Sequence, residues 1–399
     1  MKDTAIKKLI AAETARQKKV TNLIASENYV SKDVLEALGS ALTNKYAEGY
    51  PGKRYYGGNV IIDKVESLAM DRALKLFSLS PEKWHVNVQP LSGSPANIAV
   101  YLGLVPQGGK IMGMSLDHGG HLTHGHRVSG SGKFWLQVPF GVDKTTELLD
   151  YANLKEIAMR EKPAIIVAGF TAYPRVIDFK KFRDIADACG AYLMVDMSHF
   201  AGLVAGRAYP TPFEYADIVT TTVHKTLRGP RSAMIFARID ARELDKKIDR
   251  AVFPGMQGGP HENQIAAVAV ALREASTPAF RSYATQVKKN ATALANELSK
   301  LGWRVISGGT DSHLVLIDTW MEGKKTATGR GAVTGKEASD RLEKAGIIVN
   351  KNAIPYDARP PADPSGIRIG SAAETTRGKK EKVFVAIAQK IDKILTRQS

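Results

Sequence analysis

The sequence predicts an α/β fold, with a mainly parallel, mixed sheet in a large domain and a small α+β domain at the carboxyl end. Two patterns carry this. Between about residues 50 and 275, apolar runs of strand length (GKIMGM, AIIVAGF, AYLMVDM, DIVTTTV, SAMIFA) alternate with helical stretches such as FKKFRDIADACG. Strands separated by helices build parallel sheets covered on both faces. Beyond residue 275 the pattern changes to a long helix (AFRSYATQVKKNATALANELSKLG), the strands WRVIS and HLVLIDTW, another helix and the segment IIVNKN.

Taken in order, residues 1–24 read as one basic amphipathic helix with Ile6, Leu9, Ile10 and Val20 as its apolar positions. Such a helix buries little alone, so it is expected to pack on another domain or another subunit. The chain then divides into an arm (1–24), a large domain (25–275) and a small domain (276–399). MEGKKTATGRGAVTGKE and YDARPPADPSG interrupt the small domain and read as surface loops.

Of the 399 residues, 44% are hydrophobic and 24% charged, the profile of a soluble protein with a large core. Lys and Arg outnumber Asp and Glu by 56 to 40, a formal charge of +16, which brings polyanions into consideration as partners. Yet the basic pairs are scattered and no RNA-binding signature occurs, which argues against a primary RNA- or polyanion-binding role. The single Cys189 excludes an intrachain disulfide and Cys-rich zinc sites. With no signal-type amino terminus and no apolar run near the ~20 residues of a membrane span, a cytoplasmic protein is expected.

Three constellations bear chemistry. Ser92, Gly93 and Ser94 precede a helix, where free N–H groups and the helix dipole favour a phosphate; an ordinary Ser-capped helix is the alternative. Asp196 ends the strand AYLMVDM, at the carboxyl edge where α/β sheets bind ligands; it could also cap a helix. Lys225 follows the β-branched run TTTV beside His224, a position suited to a Schiff-base amine, although most lysines are merely surface groups. A phosphate cradle, an acid for a pyridinium nitrogen and an available amine are together what pyridoxal phosphate requires. His118, His121, His124 and His126 are close in sequence, but the Gly pair between them disrupts a helical ligand face, so no metal is expected and one imidazole is assigned to stack on the cofactor.

The motifs LIASENYVS, LTNKYAEGYPGKRYYGG, NVQPLSGSPAN, HGGHLTHG, AYPRVIDF, VDMSHFAGLVA, TTTVHKTLRGPR, AVFPGMQGGPH, SGGTDSHLVLID, NKNAIP and GIRIG occur in this order. Over about residues 20 to 380 the chain resembles the serine hydroxymethyltransferase family. The resemblance implies a fold-type I, aspartate aminotransferase-like pyridoxal phosphate enzyme, an obligate homodimer with shared active sites or a tetramer of such dimers, with no membrane or nucleic-acid partner. It implies transfer of the serine hydroxymethyl group to tetrahydrofolate, giving glycine and 5,10-methylenetetrahydrofolate.

By the same resemblance, Lys225 would hold the cofactor as a Schiff base, Asp196 would pair with the ring nitrogen and His121 would stack on the ring. Asn97, Thr171, His199 and His224 would also contact the cofactor, with Thr222 beside Lys225. Ser92, Gly93 and Ser94 would bind phosphate, helped across the dimer by Tyr46, Gly258 and Gly259. Arg368 would clamp the substrate carboxylate, assisted by Ser26, Tyr56 and His199. Glu48 would serve as acid/base between the serine hydroxyl and folate, and Leu116, Gly120, Leu122 and Asn352 would meet folate. Both retro-aldol cleavage and direct displacement remain open. A folate-independent aldolase acting on threonine-like or α-methyl β-hydroxy amino acids is the competing enzyme reading; Glu48, Leu116 and Asn352 argue against it. Thr171, Val223, Ser232, Ala233, Ser371 and Ala372 depart from the usual family pattern.

Overall fold

The computed structural model describes residues 1–327 and 329–396. The first helix spans Thr4–Lys19, capped by the Asp3 carboxylate on the N–H groups of Ala5 and Ile6, and none of its residues is buried. It ends earlier than the sequence pattern suggests. Val20 is outside it, and Thr21–Asn22 form a short strand, β1, because the Thr21 and Leu23 N–H groups bond to Gly346 and Ile348 carbonyls (2.9 and 2.8 Å). Its contact with the rest of the chain is polar and confined to its end, where Arg377 donates to the carbonyls of Gln17 and Val20. A small hairpin follows, β2 (Gly49–Tyr50) and β3 (Lys53–Arg54), with Gly52 in its turn at a left-handed φ of 74°.

The large sheet has seven strands: β4 (Trp84–Asn87), β5 (Lys110–Met114), β6 (Leu136–Phe140), β7 (Ile165–Ala168), β8 (Tyr192–Asp196), β9 (Ile218–Thr222) and β10 (Ala233–Arg238). Their order is β4-β10-β9-β8-β7-β5-β6. Only β10 opposes its neighbours, so β4 and the other five strands point the same way. Alternate residues feed two cores: Leu193 and Val195 of β8, like Met234 and Phe236 of β10, enter one, while Met194, Ala233 and Ile235 enter the other. This is the two-sided burial that continuous apolar strands demand. The helix Phe179–Cys189 shows how the cover is written in sequence. Asp178 caps it, Phe179, Phe182, Ile185 and Ala186 share its buried face, and Gly190 closes it at φ 74°.

The carboxyl-terminal sheet contains β11 (Arg304–Val305), β12 (Leu314–Asp318), β14 (Asn350–Asn352) and β15 (Gly366–Gly370), ordered β11-β12-β15-β14; β13 (Ile347–Ile348) pairs in parallel with β1. Leu23 lies in the core of this unit, with Leu294, Leu298, Ile367 and Phe384. The helix Pro278–Lys300 joins the two units: Phe280, Tyr283 and Val287 belong to the large core, Leu294 and Leu298 to the small one. Among the described residues no helix is long and apolar enough to cross a membrane.

Candidate active site

Because β4, β7, β8 and β9 run in one direction, the segments following them meet at one edge of the sheet, where α/β folds bind ligands. There a cleft of about 310 Å³ is lined by Ser26, Ser92, Gly93, Ser94, Asn97, His121, Thr171, Asp196, His199, Thr222, His224 and Lys225, and also by Glu27, His124, Phe170, Ser198 and Arg231. Residues separated by as many as 205 positions are thus brought to one place.

Asp196 does not cap a helix. One carboxylate oxygen accepts the Ser198 N–H (3.0 Å); the other accepts Asn97 Nδ2 (2.9 Å) and lies 3.3 Å from His124 Nε2. The His121 N–H is 3.4 Å from His124 Nδ1, which leaves Nε2 to carry the proton that faces Asp196. Thr220 Oγ1 donates to Asn97 Oδ1 (2.8 Å), fixing the amide orientation. Burial alone would raise the Asp196 pKa, but the hydrogen bond from His124 and the nearby Lys225 cation hold it well below the usual carboxylate range. A buried, ionised carboxylate is therefore maintained at the cleft floor.

Lys225 is half-buried, and loss of water pulls its pKa down to about 8; Asp196 opposes this shift and the charges of Arg368 and Arg231 reinforce it. His121 is lowered to about 4 and His224 to about 3, in both cases mainly by burial, so both imidazoles are neutral. His121 Nδ1 lies 2.7 Å from Thr123 Oγ1. Arg368, on β15, donates from Nη1 to the Thr171 carbonyl (2.8 Å) and from Nε to Asn350 Oδ1 (3.2 Å); Nη2 has no protein acceptor among the described residues. Burial lowers its pKa only to about 10, so it remains cationic at neutral pH.

The phosphate cradle can be tested against its bland alternative. Ser92 occupies the N-cap of the helix Gly93–Leu104 yet makes no side-chain capping bond. A Cβ on Gly93 would lie 2.7 Å from Thr222 Cγ2, so any side chain there would press on the strand end. His199 Nε2 and His224 Nδ1 are buried polar atoms with no partner among the described residues. An available hydroxyl, a helix terminus, orphaned imidazole nitrogens, a buried carboxylate and an amine of lowered pKa fit pyridoxal phosphate. Gly93→Ala should weaken cofactor binding about tenfold or more, measured by equilibrium titration of the protein with pyridoxal phosphate. Unchanged affinity would remove the cradle.

Arg368 is not among the residues that line this cleft, reaching it only through its bond to the Thr171 carbonyl, and five more of the expected residues cluster elsewhere in the chain. A Cβ on Gly258 would lie 3.2 Å from Glu48 Oε1, one on Gly259 3.3 Å from the Tyr46 ring, and the Tyr46 and Tyr56 rings stack edge-on at 5.0 Å. Arg54 fastens this group: Nη1 donates to the carbonyls of Ala47 and Gly49, on either side of Glu48, while Nε and Nη2 bind Asp63 and Glu66. Gln89 adds a bond to the Gly49 carbonyl and two to Glu66. Beneath them Glu262 is 1% exposed, and among the described residues its carboxyl group faces no donor, only the neighbouring Glu66 carboxylate.

Burial and the adjacent Glu66 raise the Glu262 pKa well above the usual carboxylate range. The native state therefore retains a proton that the unfolded chain releases, and stability must fall as pH rises from the ordinary carboxylate range through the folded value. Thermal melts between about pH 5 and 9 should show a shallower decline for Glu262→Gln, which keeps the neutral shape. Parallel declines would exclude a buried neutral acid.

The family model for serine hydroxymethyltransferase matches residues 1–391. The chain belongs to the serine hydroxymethyltransferase family. It is 53% identical over 393 residues to the serine hydroxymethyltransferase of Desulfotalea psychrophila, covering 98% of this chain and 88% of that protein. It is 54% identical over 387 residues to that of Acidobacterium capsulatum (97% and 87%) and 54% over 379 residues to that of Koribacter versatilis (95% and 85%). Membership makes the chain an enzyme with pyridoxal-phosphate-dependent serine hydroxymethyltransferase activity.

Within a serine hydroxymethyltransferase chain, the residues expected at folate also stand outside the cleft lining. Leu116 is half-buried, Leu122 is exposed, and Asn352 on β14 bonds its own neighbour, the Ala353 carbonyl (2.7 Å). Gly120 has a backbone reason to be glycine, since a Cβ would fall 1.9 Å from the Met114 carbonyl oxygen. Of the departures, Thr171 donates its hydroxyl to the Gly120 carbonyl (3.0 Å), and Ser371 ties the turn after Arg368 to the Val287 carbonyl (2.7 Å). Sequence reasoning missed His124 as the partner of Asp196, along with Ser198, Arg231 and His313. His124 was visible within HGGHLTHG, but its tautomer emerges only from the folded loop. Among the described residues no group of three or more His, Cys, Asp or Glu side chains could hold a metal ion.

Proposed function

We propose that this cleft holds pyridoxal phosphate on Lys225 and transfers the hydroxymethyl group of serine to tetrahydrofolate, forming glycine and 5,10-methylenetetrahydrofolate. The observation that carries the reading is the opposition of an ionised Asp196 and a Lys225 of lowered pKa across one cleft that begins at the Ser92–Ser94 helix terminus. When bound, the cofactor supplies an electron sink for the charge left on the substrate Cα as the bond to Cβ breaks.

The chain's own groups do the rest. Ser92, Gly93 and Ser94 anchor the phosphate. Asp196, kept ionised by His124 and Asn97, holds a proton on the ring nitrogen. Lys225 offers a neutral amine: at pH 7 about one side chain in ten is unprotonated at a pKa of about 8, against about one in three thousand at the ordinary value. Arg368 turns its unpaired Nη2 to the amino-acid carboxylate, aided by Ser26, and orients the bond to be broken. His121 covers the ring in its neutral form. Glu48 moves the proton of the serine hydroxyl, with Tyr56 beside it, and Leu116, Gly120, Leu122 and Asn352 form the folate surface.

Glu48, Tyr46, Tyr56, Gly258 and Gly259 cluster away from Lys225, which supports their service in the cleft of a second copy, with the unburied helix Thr4–Lys19 available for the contact between copies. Mixing inactive Lys225→Ala with inactive Glu48→Gln protein under exchange conditions should then restore about a quarter of the wild-type activity, since half the dimers carry one intact site of two. No recovery, with exchange verified, would place both residues in one subunit's site. The folate reading is tested by the visible spectrum of the loaded enzyme. A shift to longer wavelength should need glycine and tetrahydrofolate together; indifference to tetrahydrofolate would favour an aldolase.

A further inference from the structure

We propose that His313 is a positioning residue that fixes His199 in its Nε2–H tautomer, presenting an N–H donor to the cleft. His199 follows β8 and lines the cleft; His313 immediately precedes β12, in the other unit. Both are buried, at 5% and 1% exposure.

The tautomers follow from three contacts. His313 Nε2 lies 3.1 Å from the Ala25 carbonyl oxygen and 3.3 Å from His199 Nδ1. A carbonyl oxygen only accepts, so His313 Nε2 carries the hydrogen. That nitrogen then has no lone pair to offer, and His199 Nδ1 must be the bare acceptor sharing the same N–H. In a neutral imidazole this leaves the proton of His199 on Nε2. The ring centroids are 5.4 Å apart and the planes 28° from parallel. The opposite assignment would set a lone pair of His313 against the Ala25 oxygen and leave a buried Nδ1–H without an acceptor, because Nδ1 has no partner among the described residues. Burial and the nearby Arg368 and Lys225 charges keep both rings neutral, with His313 at about 3 and His199 well below its ordinary value.

His199 Nε2 also lacks a partner among the described residues. In the tautomer set by His313 it is a donor suited to an oxygen anion of the cofactor or substrate, a step that rests on the reading under Proposed function. His313 has a structural tie as well: its carbonyl accepts the Ser371 N–H (2.9 Å), close behind Arg368 on β15, and Ala25 adjoins the cleft residue Ser26. One residue thus links the donor and the amino-terminal segment through its side chain, and the arginine strand through its backbone carbonyl.

The test uses full-length protein loaded with pyridoxal phosphate. Gln places an amide N–H close to the imidazole Nε2, whereas Asn reaches only the Nδ1 position and Phe supplies none. His313→Gln should stay within about threefold of wild-type kcat, while His313→Asn and His313→Phe should fall about 10- to 100-fold, the usual effect of losing an orienting partner. Imidazole ¹⁵N shifts, with His199 assigned by its absence in His199→Gln, should show Nδ1 bare and Nε2 protonated in the wild type and in His313→Gln, and a mixed or reversed pattern in His313→Phe. A wild-type His199 protonated at Nδ1, or full activity in His313→Phe, would overturn the proposal. The ¹⁵N pattern is read without turnover, so a failure of the transferase reading leaves the tautomer result intact.

Discussion

Lys225→Ala is expected to lower hydroxymethyl transfer by about a thousandfold or more, and Lys225→Arg to recover none of it. The structure argues for an amine rather than a charge at this position. Burial draws the pKa down to about 8, with Arg231 and Arg368 adding to the effect. An arginine would keep the cation, yet its guanidinium is never a free base in proteins. Because Asn28 Nδ2 bonds the Lys225 backbone carbonyl (2.9 Å), and Asn28 also reaches Tyr283, the turn holds without the side chain. Both variants should therefore fold, with melting temperatures near the wild type. Activity in either would detach the chemistry from this lysine.

A loss of about 10²- to 10³-fold in kcat is expected for Asp196→Asn, the scale of removing one preorganised electrostatic partner. Asparagine keeps the shape and can still accept the Ser198 N–H, but it has no charge with which to hold a proton on the ring nitrogen. Asp196→Ala should be worse in stability as well as rate. It leaves Asn97 Nδ2 and His124 Nε2 facing a buried void, at about 1–3 kcal/mol for each unsatisfied donor. The pH signature is specific. Because the folded pKa of Asp196 is depressed, its stability contribution is complete above the unfolded value near 4 and is lost only as pH falls below it. Between pH 6 and 9 the rate deficit of Asp196→Asn should be flat; a deficit that disappears within that window would assign the titration to another group.

The parts of this enzyme that sequence reveals are those in which local pattern and topology agree. AYLMVDM and DIVTTTV are strands with every residue buried or nearly so, and their direction delivers Asp196 and Lys225 to one edge. The edge strands β4 and β6 were less visible, being short and, in β6, half exposed. The first helix was overextended because Val20 continues its apolar stripe, while the competing pairing partner of Thr21 lies more than 300 residues away. Long-range polar geometry was the main omission. Nothing near His313 marks it as a partner of His199, 114 residues distant, and Glu66, Gln89 and Glu262 converge from three separate segments on the Glu48 hairpin, to which Arg54 belongs. The composition supplied a net charge of +16, for which the cleft gives only a partial account through Arg231 and Lys225, with Arg368 close by.

The most direct measurement is borohydride reduction of the pyridoxal-phosphate-loaded protein followed by peptide mapping. A stoichiometric phosphopyridoxyl label is expected on Lys225, with none on the other lysines and none in Lys225→Ala. A label distributed over surface lysines, or a stoichiometric label that survives Lys225→Ala, would contradict a cofactor site in this cleft.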